Sequence, residues 1–309
     1  MEKKAYFFID DCIWSLQELT QQRPASLFDQ HFFAVLKKAH DLYGAKFQMN
    51  LFYRTDFFYG NEEFTLADVT DAYREEFTAA SDWLHFSLHS KQEFPDYPWV
   101  NAAYQDVKDV FESIRREVHR FAGEKSFGYT VVPHWSSMSK EGCRALKDCG
   151  VKVISTTWGD RRPYNGDPFS LPYGHAARLM HNRQPETMLF TRDTRNIAIA
   201  QSVCGYNHMD YAEGMANRTA LQAVWDPELE VHFKMVAYQL CVNLTPDDIF
   251  DQEMAQYLEN EYLNICTHEQ YSYPDYFNYQ PTHAARILRA CELAHQAGYT
   301  FFWPDVLGE

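Results

Sequence analysis

A chain of 309 residues that is 46% hydrophobic and 16% aromatic is long enough to bury one large α/β core or two small ones. Its net charge of −15, from 43 acids against 28 Lys and Arg, speaks against nucleic acid, an anionic membrane surface or a strongly anionic polymer as partner, since such contacts rest on clustered cations. The 7 cysteines are scattered and show no CxxC, which suits free thiols in a reducing compartment; with no signal-peptide pattern in MEKKAYFFIDD, a cytoplasmic location is expected.

The first apolar run, Ala5–Ile9, predicts a strand covered on both faces, and it runs straight into Asp10 and Asp11. Two like charges at the end of a buried strand repel each other and call for a metal, a proton or an exposed strand end. Phe28–Tyr43, with apolar residues at i, i+3 and i+4, predicts a helix, and Phe47–Tyr53 a second strand. Thr65–Phe77 predicts a helix behind an N-cap-like threonine, Leu84–Leu88 a strand, and Asn101–Phe121 a long amphipathic helix. Gly128–Val132 and Val151–Thr156 predict strands, separated by a helix over Ser139–Cys149 that stops at Gly150. This alternation points to a parallel sheet or a barrel of βα units.

From about residue 160 to about 262 the rhythm breaks. RRPYNGDPFSLPYG reads as loop, and Asn196–Val203 and Val231–Val242 read as strands, either of an inserted hairpin or of the later part of a barrel. The chain closes with LNICTHEQY as strand and loop, a helix over His283–Ala297 stopped by Gly298, and YTFFWPDVL as a last strand.

In parallel α/β architectures functional groups gather where strands end. By that criterion the candidates are Asp10 and Asp11, His85–His89, His134, Trp158 and Asp160, and His268 with Glu269. Carboxylates and imidazoles at one rim make a metal-site composition, the plainer alternative being strand ends that are polar because they meet water. In WLHFSLHSKQEFPDYPW (83–99), His85, Ser87 and His89 share one strand face, and Glu93 follows four residues after His89. That His-x-x-x-Glu spacing places both side chains within reach of one cation in a turn or short helix, whereas His85 reads as a half-buried strand histidine with a hydrogen-bonded partner.

HSKQEFPDYPW and HEQYSYPDYFNY also share the pattern His-x5-Pro-Asp-Tyr, from His89 and from His268. Aromatic loops on one rim would offer stacking faces to a ring-bearing substrate. Tyr97, Trp99, Tyr271 and Tyr273 are therefore candidate substrate contacts, with His134, Trp135 and Trp158 beside them. GxSxG, GxGxxG and GxxxxGK[ST] are all absent, so a serine hydrolase of that type and a nucleotide-binding fold have no support.

The order of these segments resembles the polysaccharide deacetylase superfamily, also called NodB-homology or carbohydrate esterase family four. IDD matches that family's opening strand, HSKQE its metal-histidine motif with Glu93 in the second place, and VVPHWSSMSKEGCRALKDCG its loop before a helix. NICTHEQY, ARILRACELAHQAGY and TFFWPDVL match its closing strand, helix and strand. The resemblance covers 5–159 and 263–307 and is poor over 160–262.

The resemblance implies one α/β domain, a deformed (β/α)7-type barrel with a β-rich insertion at about 160–262. It implies a divalent cation held by Asp11, His89 and Glu93, with zinc first and Mn, Co or Ni also admitted. Asp10 would be the general base on the attacking water, and His268 the general acid for the leaving group. The expected activity is hydrolysis of a non-peptide amide or ester of a small molecule or oligosaccharide, by a chain compatible with homo-oligomer formation. Two departures stand out: Cys12 replaces the family's glycine after the Asp pair, and the arginine that tethers the base is absent near Val131. They favour, as an alternative, a catalytically lapsed carbohydrate- or metabolite-binding member; a second alternative is an unrelated glycosidase-type barrel with paired carboxylates as acid and base.

Overall fold

Strand β1 (Lys4–Cys12) is buried along nearly its whole length because it is paired on both edges and covered on both faces. In the computed structural model, which describes residues 2–55, 63–93, 98–99, 102–136, 138–156, 216–235 and 239–308, β1 pairs in parallel with β2 (Phe47–Phe52) on one side and β9 (Tyr262–His268) on the other. The sheet continues outward to β3 (Leu84–Ser90) and to β8 (Leu240–Cys241), and β10 (Thr300–Phe301) pairs with the start of β1. A second sheet runs β4 (Thr130–Val131), β5 (Val153–Thr156), β7 (Val231–Met235), β6 (Val224–Asp226), parallel except for the β6–β7 hairpin.

One parallel bridge, Phe86 to Phe127, links the two sheets, and among the described residues no ladder joins β7 to β8. The inward faces nevertheless meet. Tyr6 and Phe8 of β1 pack with Val132, Cys241 and Cys266 in one cluster, while Ala5, Phe7 and Ile9 face the helices in another. This period-2 partition is what makes a strand of this kind apolar throughout.

The helices lie between strands as the alternation predicts. They are α1 (Trp14–Gln22), α2 (His31–Tyr43), α3 (Arg74–Ala79), α4 (Tyr104–Phe121), α5 (Lys140–Asp148), α6 (Phe250–Ala255) and α7 (His283–Gln296). Helix α2 stops at Gly44, whose φ of 65° is the left-handed conformation that glycine adopts without Cβ strain. Helix α5 starts from Ser139, whose Oγ accepts from the Gly142 backbone N–H at 2.9 Å. No helix among the described residues is long and apolar enough to cross a membrane.

Three expected elements differ. Thr65–Phe77 is a 3₁₀ turn (Leu66–Asp68) followed by α3, because Asp68 folds back on the Thr65 N–H and hydroxyl and closes that first turn. Val231–Val242 is not one strand: β7 joins β5, whereas β8 joins β9 in the other sheet. The final strand shortens to β10, since Pro304 brings no N–H to a ladder and opens a 3₁₀ turn. Asn196–Val203 and the RRPYNGDPFSLPYG loop lie outside the described residues.

Candidate metal centre and reaction site

Adjacent residues of a regular strand point to opposite faces, so Asp10 and Asp11 reach one site only if the strand breaks its period there. It does. The β1–β2 register shifts between Ile9 and Cys12, and Asp11 takes φ 60°, a left-handed conformation that Asp tolerates better than most residues. The bulge is braced by Cys12, whose buried Sγ donates to the Ile9 carbonyl oxygen at 3.2 Å.

A second register shift, between Leu51 and Phe52 on the β2–β3 ladder, lies beside His89. His134 follows β4 in a turn where Trp135 and Ser136 have φ of 59° and 53°. All three irregularities deliver side chains to one point. His89 Nε2 lies 3.2 Å from Asp11 Oδ1, His134 Nδ1 lies 3.4 Å from that same oxygen, and the two ring nitrogens are 3.0 Å apart.

The other nitrogen of each ring is already committed. His89 Nδ1 is 2.7 Å from the Val132 carbonyl oxygen, and His134 Nε2 is 2.9 Å from that of Glu93. A carbonyl only accepts, so these nitrogens carry the protons, and in neutral rings Nε2 of His89 and Nδ1 of His134 present lone pairs to each other and to a carboxylate. Three lone-pair donors facing inward are repulsive unless a proton or a cation sits among them. Donors held tetrahedrally at ~2.0–2.2 Å around a zinc-like ion lie ~3.3–3.6 Å apart, and the three separations of 3.0, 3.2 and 3.4 Å lie at or a few tenths of an ångström inside that range. Asp11 Oδ1 is buried with no hydrogen-bond donor of its own, as a ligand oxygen would be, and Gln270 Nε2 donates to Asp11 Oδ2 at 2.7 Å to fix the carboxylate plane.

The protonation equilibria carry the same message. Burial resists charging Asp11, but its contacts with His134 and His89 outweigh that and hold it well below the usual carboxylate range. Burial likewise opposes the charge on His89, yet Asp10 and Asp11 raise its pKa, while His134 is pushed down by burial despite Asp11.

The group of mutually close donors differs from the expected ligands at one position. Glu93 was expected to bind through its carboxylate; the group of mutually close donors is Asp11, His89 and His134, and Glu93 supplies its main-chain oxygen to orient His134. His134, expected among substrate contacts, is thus placed as a donor. The physical reason is the strand-end geometry: His134 lies on the neighbouring rim, whereas the turn after Ser90 presents the Glu93 carbonyl to it.

Asp10 sits beside this group. Burial raises its pKa against the pull of His89 and His268, and Asn50 Nδ2 donates to Asp10 Oδ1 at 2.7 Å. Asn50 is itself held by Gln48, whose Nε2 reaches both Asn50 Oδ1 (2.7 Å) and the Thr130 carbonyl oxygen (2.9 Å). This chain stands where the tethering arginine was missed. Its signal was present in the sequence: Gln48 and Asn50 occupy alternate positions of the otherwise apolar FQMNLF, so both face inward.

On the far side of Asp10, His268 ends β9 in register with it. Asn243 Oδ1 accepts from the His268 backbone N–H at 3.1 Å and lies 3.0 Å from Nδ1. Burial opposes the imidazolium, but Cys241 and the two aspartates raise its pKa to about 9. Next in sequence, Glu269 is fully buried and accepts from the N–H groups of Ile13, Trp14 and Ser15 at 2.7, 2.8 and 3.1 Å, capping α1 from the other end of the chain.

The remaining expected contacts are placed differently. His85 is stacked on Trp303 at 4.0 Å and forms no part of the donor group. Trp99 is buried and donates to the His89 carbonyl oxygen at 2.9 Å, supporting the strand end. Tyr271 and Tyr273 are buried in an aromatic cluster with Tyr276 and Trp14, so packing accounts for the surface they were expected to offer a substrate. Trp135 is half-buried beside His134, and Tyr97 and Trp158 lie outside the described residues.

No family model and no curated protein matches the chain. Among solved structures, it is similar to a T48 deacetylase with substrate (9% identity, 99% of this chain and 90% of the other, TM-score 0.40). It is similar also to a CE4 family pseudoenzyme from Bacillus anthracis (10%, 97% and 63%, TM-score 0.39). A third is the Xyl-CE4 domain of a multidomain xylanase from the hindgut metagenome of Trinervitermes trinervoides (11%, 98% and 87%, TM-score 0.36). At these identities and TM-scores the likeness carries no statement of family, activity or substrate.

Proposed function

We propose that this protein is a divalent-metal-dependent hydrolase of the deacetylase kind, cleaving an amide or ester of a small carbohydrate or metabolite. The observation that carries this is the inward-facing set of Asp11 Oδ1, His89 Nε2 and His134 Nδ1, with separations of 3.0–3.4 Å. These residues would hold the cation, and one carboxylate with two imidazoles suits zinc while admitting Mn, Co or Ni. When bound, such an ion supplies Lewis-acid polarisation and lowers the pKa of water.

The rest of the chemistry belongs to the chain. Asp10 takes the proton of the attacking water as oxygen bonds to the acyl carbon, and Asn50 holds its carboxylate in place for that transfer. His268, protonated up to about pH 9, gives a proton to the departing amine or alkoxide as the acyl bond to nitrogen or oxygen breaks. Asn243 fixes the orientation of that ring. The Asn50–Gln48 tether supports an active enzyme over a lapsed member, because it restrains the base without an arginine.

The test is metal analysis of the purified chain together with hydrolysis of a panel of N- and O-acetylated sugars, with and without chelator. At least one equivalent of divalent ion, with activity lost to chelator and restored by Mn²⁺ or by a single equivalent of Zn²⁺, is expected. Absence of bound metal and of metal-restored hydrolysis would overturn the proposal, and turnover of aryl glycosides in chelator would replace it with the glycosidase alternative.

A further inference from the structure

Below the rim, a second cluster uses different chemistry. Cys241 of β8 lies directly opposite Cys266 of β9 in the parallel ladder, and His268 is two residues beyond Cys266 on the same inward face. One ligand atom from each of the three lies within 4.8 Å of the other two. Cys241, Cys266 and His268 are 2%, 0% and 7% exposed, and Tyr6, Phe8 and Tyr262 form the apolar shell around the thiols.

We infer that Cys241, Cys266 and His268 form a second, sulfur-rich metal site that takes a thiophilic ion of the zinc or cadmium class. Two thiolates and one imidazole are a zinc-type donor set, and tetrahedral coordination at ~2.3 Å to sulfur and ~2.0–2.1 Å to nitrogen spaces the donors by ~3.5–3.8 Å, within what the cluster allows. The regular β8–β9 register holds both sulfurs. Asn243 Oδ1, 3.0 Å from His268 Nδ1, orients that ring as an outer partner does at a metal site, while the Cys241 Sγ–H that donates to the same oxygen at 3.4 Å is given up on binding. The donors also differ in kind from the first group: sulfur selects thiophilic ions, whereas the carboxylate of Asp11 also accepts harder ones. Counted from the form with both thiols protonated, binding breaks two S–H bonds and the imidazolium N–H that faces the thiols, releases those three protons to solvent, and puts the metal in their place on the two sulfurs and the ring nitrogen. Occupancy would take His268 out of proton transfer, a consequence that rests on the proposed hydrolysis while the site itself does not.

The experiment is a Cd²⁺ titration of the reduced full-length chain, followed by its sulfur-to-cadmium ultraviolet band, with zinc X-ray absorption on the same preparations. Two equivalents are expected for the unaltered chain, with zinc averaging one sulfur neighbour at ~2.3 Å. Asp11→Ala is expected to keep one equivalent, the full band and two sulfurs per zinc. Cys241→Ser and Cys266→Ser are each expected to lose the band and keep one equivalent bound through N and O only. The inference is overturned if zinc in the unaltered chain shows no sulfur neighbour, a measurement that needs no variant to fold. It is equally overturned if the band survives both serine substitutions. Loss of hydrolysis in the unaltered chain leaves these readouts intact, so the two proposals fail separately.

Discussion

The two donor groups on either side of Asp10 are built in opposite ways. Cys241, Cys266 and His268 come from two neighbouring strands in regular register, where period-2 alternation alone puts them on one face. Asp11, His89 and His134 come from three places where the backbone departs from regularity, two register shifts and a turn with consecutive left-handed residues. The regular ladder can present donors of one edge only. Convergence on a point from three strands requires the chain to turn side chains off their faces, and the bulges do that. The orienting partners differ as well: main-chain carbonyls of Val132 and Glu93 orient the first group, a side-chain amide orients the second.

The largest expected effect breaks the irregular group outright. Asp11→Ala should abolish the metal of that group and lower kcat/KM by on the order of 10³-fold or more, about 4 kcal/mol of transition-state stabilisation. Metal analysis and steady-state kinetics read it, and full retention of that metal would show that the carboxylate is not a ligand. The next pair sharpens which third donor is used. His134→Ala should weaken metal binding by more than the ~10–100-fold typical of an outer-shell change, while Glu93→Gln, which keeps the carbonyl, should stay within about threefold. Reversal of that order in a competition titration would restore Glu93 as the ligand.

Asn50→Ala should lower kcat by about 10–100-fold with the metal retained. Because the Asn50 hydrogen bond favours the charged form of Asp10, its removal should also move the acid limb of the pH profile upward. An unchanged limb would leave Asn50 as packing only. The smallest effect concerns His268, whose pKa near 9 predicts activity that is level below that pH and falls above it. Cys241→Ser should shift this limb down, since Cys241, its own pKa lowered to about 6, supports the imidazolium as thiolate. The sign for stability follows from the pair: the His268 contribution is lost as pH rises through about 9, and that of Cys241, held down to about 6, is lost as pH falls through 6, so the pairing stabilises most between the two. Thermal unfolding of the unaltered chain and of Cys241→Ser across that window checks it, and parallel curves would contradict it.

What was legible in the residues follows the same divide. Ala5–Ile9, Leu84–Leu88 and the strand before His268 could be read because buried strands are apolar runs ending on polar groups, and the helices because of their 3.6-residue period. Strand-end position put Asp10, Asp11, His89, His134 and His268 among a wider set of candidates that also held His85, Trp158, Asp160 and Glu269. The assignment among them was not legible. Period-2 alternation puts Asp10 and Asp11 on opposite faces, and only the bulge at Asp11 brings both to the rim. His134 is 45 positions from His89, and no local spacing ties them, whereas His-x-x-x-Glu offered Glu93 a local pattern that the turn after Ser90 does not use. VHFKMVAYQLCV read as one strand because its apolar residues continue while its partners change from β5 to β9, a tertiary choice with no local mark.

The most direct measurement is anomalous diffraction from crystals of the zinc-loaded chain. The account predicts a zinc peak bonded to Asp11 Oδ1, His89 Nε2 and His134 Nδ1, with Asp10 adjacent and unbonded. A peak bonded to the Glu93 carboxylate instead of His134, or none at this position in a crystal shown to contain zinc, would contradict it.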